Sequence, residues 1–112
     1  MKKLVSILFF ALAASHCYGS NDQVPIDRHI QIIKTYQNFA TIYFSPDFVN
    51  TQGCSSTNQG AVILDLSTGE TKEMYSAAIA AATANKMVGF GISGCELGAL
   101  GYPMIYRIDV NY

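Results

Sequence analysis

Charged side chains are scarce, making up 13% of this 112-residue chain, with seven Lys plus Arg against eight Asp plus Glu. Such a balance supplies no basic stripe to neutralise phosphates, so nucleic acid is not an expected partner. Beyond the N-terminus no apolar run approaches the ~18 to 20 residues of a membrane-spanning helix, and no stable membrane anchor is expected once the N-terminal segment is cut away. The length allows one small domain and excludes a two-domain enzyme. Cysteine and histidine are few, and only His29, Cys54 and Cys95 lie beyond the first twenty residues. That set is too small for a zinc site, and neither a metal nor a cofactor is expected. What is plentiful is apolar: half of the residues are hydrophobic and 12% aromatic, which excludes a disordered tail and implies a folded domain.

The first residues read as an export signal. Lys2 and Lys3 form a basic lead, Leu4 to Ala14 an apolar stretch, and Ser15 to Ser20 a short run of small and polar residues. A lipoprotein site at Cys17 is opposed by His16, where a small side chain is needed. Cleavage after Ser15 or after Gly19 satisfies the small-residue rule, and cysteine counting favours Gly19, because it leaves Cys54 and Cys95 as an even pair in an oxidising compartment. The expected organisation is a signal peptide over 1–19 and a single domain over 20–112, periplasmic or secreted. A Cys54–Cys95 disulfide closing a 41-residue separation stabilises such a domain by about 4 kcal/mol in the chain-entropy model. The remaining five cations, Arg28, Lys34, Lys72, Lys86 and Arg107, face eight acids, so the exported chain is acidic.

Along the mature chain, Ser20 to Ile26 reads as an irregular lead-in, and Arg28 to Tyr36 alternates as a first strand with Ile30, Ile32 and Tyr36 on one face. Gln37 and Asn38 turn into a second strand, Phe39 to Ser45, which sets Ala40, Ile42 and Phe44 opposite Phe39, Thr41 and Tyr43. Pro46 to Gly60 is a loop dense in turn residues, and the apolar run Ala61 to Leu66 is a buried third strand. Ser67 and Glu70 are spaced as a capping box ahead of an alanine-rich helix over Thr71 to Ala84, stopped by Asn85. Its apolar stripe is Tyr75, Ala78, Ile79 and Ala82. Met87 to Ser93 is a fourth strand whose Gly89, Gly91 and Ser93 leave one face bare, Cys95 follows it, and Glu96 to Tyr102 is a glycine-rich loop. Met104 to Val110 is a fifth strand, with Met104, Tyr106, Ile108 and Val110 facing one way. The order β-β-β-α-β-β is that of a five-stranded, OB-fold-like barrel, mainly β with one helix; an open two-layer sheet shares the same string.

No catalytic constellation stands out. Gly89, Gly91 and Gly94 spell G-x-G-x-x-G, but on an alternating strand with no helix after it, where a dinucleotide site needs a strand-to-helix turn. Ser55, Ser56 and Thr57 have no His–Asp pair beside them, His29 stands alone on a strand, and Glu70 and Glu73 suit a helix N-terminus. What remains is an aromatic and polar surface: Tyr36, Phe39, Thr41 and Tyr43 on the first hairpin, Phe48 in the long loop, and Tyr102. Tyr36, Phe39, Thr41, Tyr43 and Tyr102 are the candidate ligand contacts, because tyrosine offers a flat apolar face with a hydroxyl suited to sugar or protein.

From Cys54 to Val110, the strand ending Asp65-Leu66-Ser67, the helix with Met74-Tyr75-Ser76, the strand from Lys86, Gly94-Cys95 and the closing Tyr102-Pro103 to Tyr106 strand carry a resemblance. The stretch resembles small secreted bacterial proteins similar to the pentamer-forming B subunit of subtilase cytotoxin. The resemblance implies export, a disulfide, an OB-fold and ring assembly, and in the toxin the B ring recognises sialylated cell-surface glycans; no binding residue carries over to a position here. The expected role is a non-enzymatic exported module recognising a glycan or a protein, with homo-oligomerisation implied. The alternatives are a small periplasmic hydrolase or inhibitor, or a structural oligomer subunit.

Overall fold

A computed structural model describes residues 22–98 and 100–111. The signal segment 1–19, both cleavage points and Cys17 lie outside the described residues. The elements run β1 (Asp22–Thr35), β2 (Phe39–Ser45), β3 (Ala61–Asp65), α1 (Lys72–Thr83), β4 (Val88–Cys95) and β5 (Pro103–Val110), with a short 3-10 turn, Gly69–Thr71, leading into α1. The chain is therefore mainly β, with five strands and one α-helix, and Cys54 is joined to Cys95. Pairing follows β1-β2-β3-β5-β4 and returns from β4 to β1, closing the sheet on itself. Every pair is antiparallel except β3 with β5, which is parallel and registers at one position, Ile63 against Met104.

The closure depends on β1, and here the lead-in over Ser20 to Ile26 needs correction: β1 begins at Asp22 and is 14 residues long. Its first half pairs with β4, its second half with β2, and the register with β4 breaks between Val24 and Arg28. Pro25 sits in that break, where a strand tolerates a residue without an N–H. Gly89 of β4 is the matching feature, since a Cβ there would lie 2.6 Å from the Val24 carbonyl oxygen and 2.8 Å from the Ile26 nitrogen. A second irregularity between Ile30 and Ile32 turns the strand over. Ile30 and Ile33 pack on the core, while Ile32 and Tyr36 are exposed, so the expected Ile30, Ile32, Tyr36 face is split by a bulge.

The core is filled by alternate residues of β2 (Ile42, Phe44), β3 (Val62, Leu64) and β4 (Val88, Phe90, Ile92), all nearly inaccessible. Phe48, expected at the surface of the long loop, instead belongs to this core, its ring 4.9 Å from Phe90 and 6.4 Å from Phe44. A loop aromatic is drawn inward because burying it gains about 2 to 3 kcal/mol. The strand β5 departs from strict alternation. Its register with β4 slips between Gly91 and Ile92, so Ile105 is buried, Tyr106 is exposed, and Ile108 and Val110 pack on the core. Tyr106 then lies over Gly91, where a Cβ would come within 2.5 Å of its ring.

The helix start also differs from the expected capping box. Ser67 does not cap; its backbone N–H donates to the Asp65 carboxylate at 2.8 Å, and the Thr71 hydroxyl donates to the Asp65 carbonyl. The α1 N-cap is Thr71, without a side-chain cap, and Glu73 sits in the first turn. Its inward stripe is Met74, Tyr75, Ala78 and Ala81 rather than Tyr75, Ala78, Ile79 and Ala82; Ile79 is exposed. The 3-10 turn places the helix start one residue later and rotates the buried face. Asn85 ends the helix in the left-handed region at φ 52°.

Candidate functional site

Antiparallel pairing builds the outer face of the first three strands row by row. Phe39 stands opposite Asp65, Thr41 between Lys34 and Ile63, and Tyr43 between Ile32 and Ala61. Tyr36, just after β1, stacks on Phe39 with ring centroids 4.5 Å apart and planes within 18°. Tyr43 meets Tyr102 edge to face at 6.4 Å, with their hydroxyls 3.5 Å apart, and the Lys34 ammonium lies 5.1 Å from the centre of the Tyr43 ring. Four of the five candidate contacts thus form two aromatic pairs on one side of the sheet. The fifth, Thr41, lies between them but is only 1% exposed, and its Oγ1 is buried without a hydrogen-bond partner. It can contact a ligand only if the side chains around it move.

The tyrosine pair is electrostatically asymmetric. The Tyr102 hydroxyl, aided by the Lys34 charge against the cost of burial, holds the Tyr43 phenol below the usual tyrosine range. The same contact with Tyr43, with burial and the nearby Tyr43 charge, pushes Tyr102 up. The shifts mean that Tyr43 ionises before Tyr102 as the pH rises, while at neutral pH both are phenols and either hydroxyl can donate across the pair.

Tyr102 is placed by the loop between β4 and β5. The Glu96 carboxylate accepts the Gly98 and Gly101 N–H groups at 2.6 and 2.9 Å, and the Glu96 N–H donates to the Tyr102 carbonyl. Gly101 adopts φ 61°, its carbonyl accepts the Ser56 N–H, and a Cβ there would lie 2.0 Å from the Ser55 hydroxyl oxygen. Ser55 and Ser56 thus serve this turn, and the Cys54–Cys95 bridge beside them fastens the β2–β3 loop to the base of the Tyr102 loop. Gln52 adds a further tie by accepting the Gly94 N–H at 2.9 Å.

Two clefts open where β3 and β5 part. One, about 280 Å³, is lined by Asn38, Phe39, Ile63, Asp65, Ser67, Glu96 and Met104. The other, about 400 Å³, is lined by Asp65, Thr68, Glu70, Thr71, Met74, Met104, Ile105 and Tyr106. They share Asp65 and Met104. Hydrogen bonds from the Ser67 hydroxyl and N–H hold the Asp65 carboxyl below the usual carboxylate range, so it stays ionised. His29 lines neither cleft. Among the described residues no three His, Cys, Asp or Glu side chains converge as metal ligands.

Reading for aromatic residues finds Phe39 but misses Asp65, Glu96 and Met104, which come from three separate segments. One signal for them was present. Ala61 to Leu66 is apolar on both faces, and Ala61 and Ile63, which point away from the core cluster, are nonetheless buried, so the outer face of β3 is itself covered. No family model matches the chain, and no curated protein or solved structure matches it.

Proposed function

We propose that this chain is an exported, non-enzymatic binding module of OB-fold type that takes up carbohydrate on the outer face of its first hairpin. The observation that carries the reading is the arrangement of Tyr36 on Phe39 and of Tyr43 against Tyr102, with Phe39 also lining a cleft to which the β1–β2 turn and the β4–β5 loop both contribute. OB-folds bind oligosaccharides on the face of their second and third strands, between those two loops. Asn38 comes from the first loop and Glu96 from the second. A sugar ring presents an apolar face to a tyrosine and hydroxyls to polar neighbours, and the Tyr43–Tyr102 pair sets two phenol hydroxyls side by side, each able to donate and accept.

The resemblance to secreted B-subunit-like proteins points to the same ligand class and adds export and ring assembly to the reading. The Ser56 hydroxyl accepts the Asn58 N–H within its own loop, and recognition rather than hydrolysis is the role proposed for this surface. The test is a glycan array probed with the exported protein. Binding that is lost in Tyr43→Ala and Tyr102→Ala, with folding intact by circular dichroism, supports the proposal. Silence across the array, or binding indifferent to both substitutions, overturns it.

A further inference from the structure

The two clefts about Met104 have a chemistry different from that of the aromatic pairs. Asp65, Glu70 and Glu96 line them, and no Lys, Arg or His does. Their floor is soft and apolar, with Phe39, Met74 and Met104 contributing. They meet at Asp65 and Met104, where the sheet is least joined, because β3 and β5 register at the single pair Ile63 and Met104, and together they form one groove along this seam. We infer that this groove is a second binding site, which takes an extended segment of a partner protein carrying arginine or lysine side chains.

Three features favour that occupant. The methylene stem of a basic side chain packs on thioether and aromatic carbon while its charged head stays near carboxylate, which matches an apolar floor with an acidic rim. The Glu96 and Asp65 carboxylates are already oriented by backbone N–H groups, at 2.6 to 2.9 Å, and each keeps lone pairs free for a further donor. The charge of the whole mature chain agrees, with five cations against eight acids over residues 20–112, so a basic segment is attracted before it docks. The inference does not rest on carbohydrate binding at the aromatic pairs, and its test is read separately.

The exported protein, labelled with nitrogen-15, is titrated with an acetylated and amidated six-residue peptide bearing two arginines, and with its citrulline counterpart of equal length and no charge. Saturable shifts at the amides of Asp65, Glu70, Met104 and Ile105 with the arginine peptide are expected. The citrulline peptide and the Asp65→Asn/Glu70→Gln variant should each bind about tenfold more weakly, as for the loss of two partly exposed ion pairs. Where the double variant unfolds, Glu70→Lys, at an exposed position, replaces it. Tyr43→Ala should leave peptide binding unchanged. Absence of saturable shifts at these amides, equal binding of the citrulline peptide, or unchanged affinity in the charge variants overturns the inference.

Discussion

Removing the disulfide is the most informative single perturbation, because Cys54 and Cys95 tie the β2–β3 loop to the end of β4 across 41 positions. In the chain-entropy model, freeing a loop of that length returns to the unfolded chain an entropy corresponding to about 4 kcal/mol. A domain of this size carries roughly 5 to 10 kcal/mol in all, so the Cys54→Ser/Cys95→Ser variant should lose about half of it. Using the typical unfolding entropy per residue, the thermal midpoint should fall by about 20 °C. Urea unfolding of the oxidised protein, the reduced protein and the double variant gives the midpoints, with reduced protein and variant expected to agree. The slope should rise modestly, because the unfolded chain expands and exposes more surface once the bridge is lost. A loss below about 1 kcal/mol would refute the reasoning, since it would mean that the bridge does not constrain the unfolded chain as the chain-entropy model requires. A loss of Tyr43–Tyr102 asymmetry in the reduced but still folded protein would show that the bridge also positions Tyr102.

Gly89→Ala should cost about 2 to 3 kcal/mol, because its Cβ meets only backbone of β1, whereas Gly91→Ala should cost about 1 kcal/mol, because the end of the Tyr106 ring can swing aside; urea midpoints compare the two. Asp65 has a folded-state pKa below its unfolded value, so its carboxylate contributes stability that is present above about pH 3.9 and is lost as the pH falls through the depressed value. In Asp65→Asn that acid-side slope should shrink but not vanish, since Asp22, hydrogen-bonded by Thr51, is shifted the same way. Tyr102→Phe should return Tyr43 toward the ordinary tyrosine range, read as an alkaline displacement of its ultraviolet titration. Mass measurement of the exported protein should find a chain beginning at Ser20 and two hydrogens lighter than its reduced form; a chain beginning at His16 or Met1 would refute the cleavage assignment.

The strands β2, β3, β4 and β5 were legible because each is a short run with a clear period or a continuous apolar stretch bounded by turn residues. The disulfide was legible from cysteine parity. What was not legible depends on events one residue wide. A single slip in register moves every later side chain to the other face, and the slips in β1 and β5 leave no local mark. Pro25 looked like the end of order and instead lies in the break that lets one strand serve two partners. The first and last aromatic candidates, Tyr36 and Tyr102, lie 66 residues apart in the chain, yet both pair with aromatics of β2; a search for clustered aromatics finds the members without finding the pairs. The cleft is less legible still, because Asp65, Glu96 and Met104 converge only once β5 has registered beside β3.

The glycines of β4 show how the closure and the candidate site depend on each other. In sequence they spell a G-x-G-x-x-G pattern in the wrong context for a dinucleotide, and leave one face of the strand bare. In the fold, the space above Gly89 is taken by the β1 backbone at Val24 and Ile26, and the space above Gly91 by the Tyr106 ring. Both glycines are buried, so the face they were expected to expose has no room for phosphate or sugar. Their small size lets β1 cross onto β4 and close the sheet. With that side occupied, the surface to which recognition is proposed is on the opposite strands, where β2 presents Phe39 and Tyr43 and where β3 and β5 part around Met104. Substituting the glycines should therefore weaken the fold first and any ligand only in proportion to the folded fraction, whereas substituting Tyr43 or Tyr102 should weaken carbohydrate binding while leaving the urea midpoint within about 1 kcal/mol of the parent.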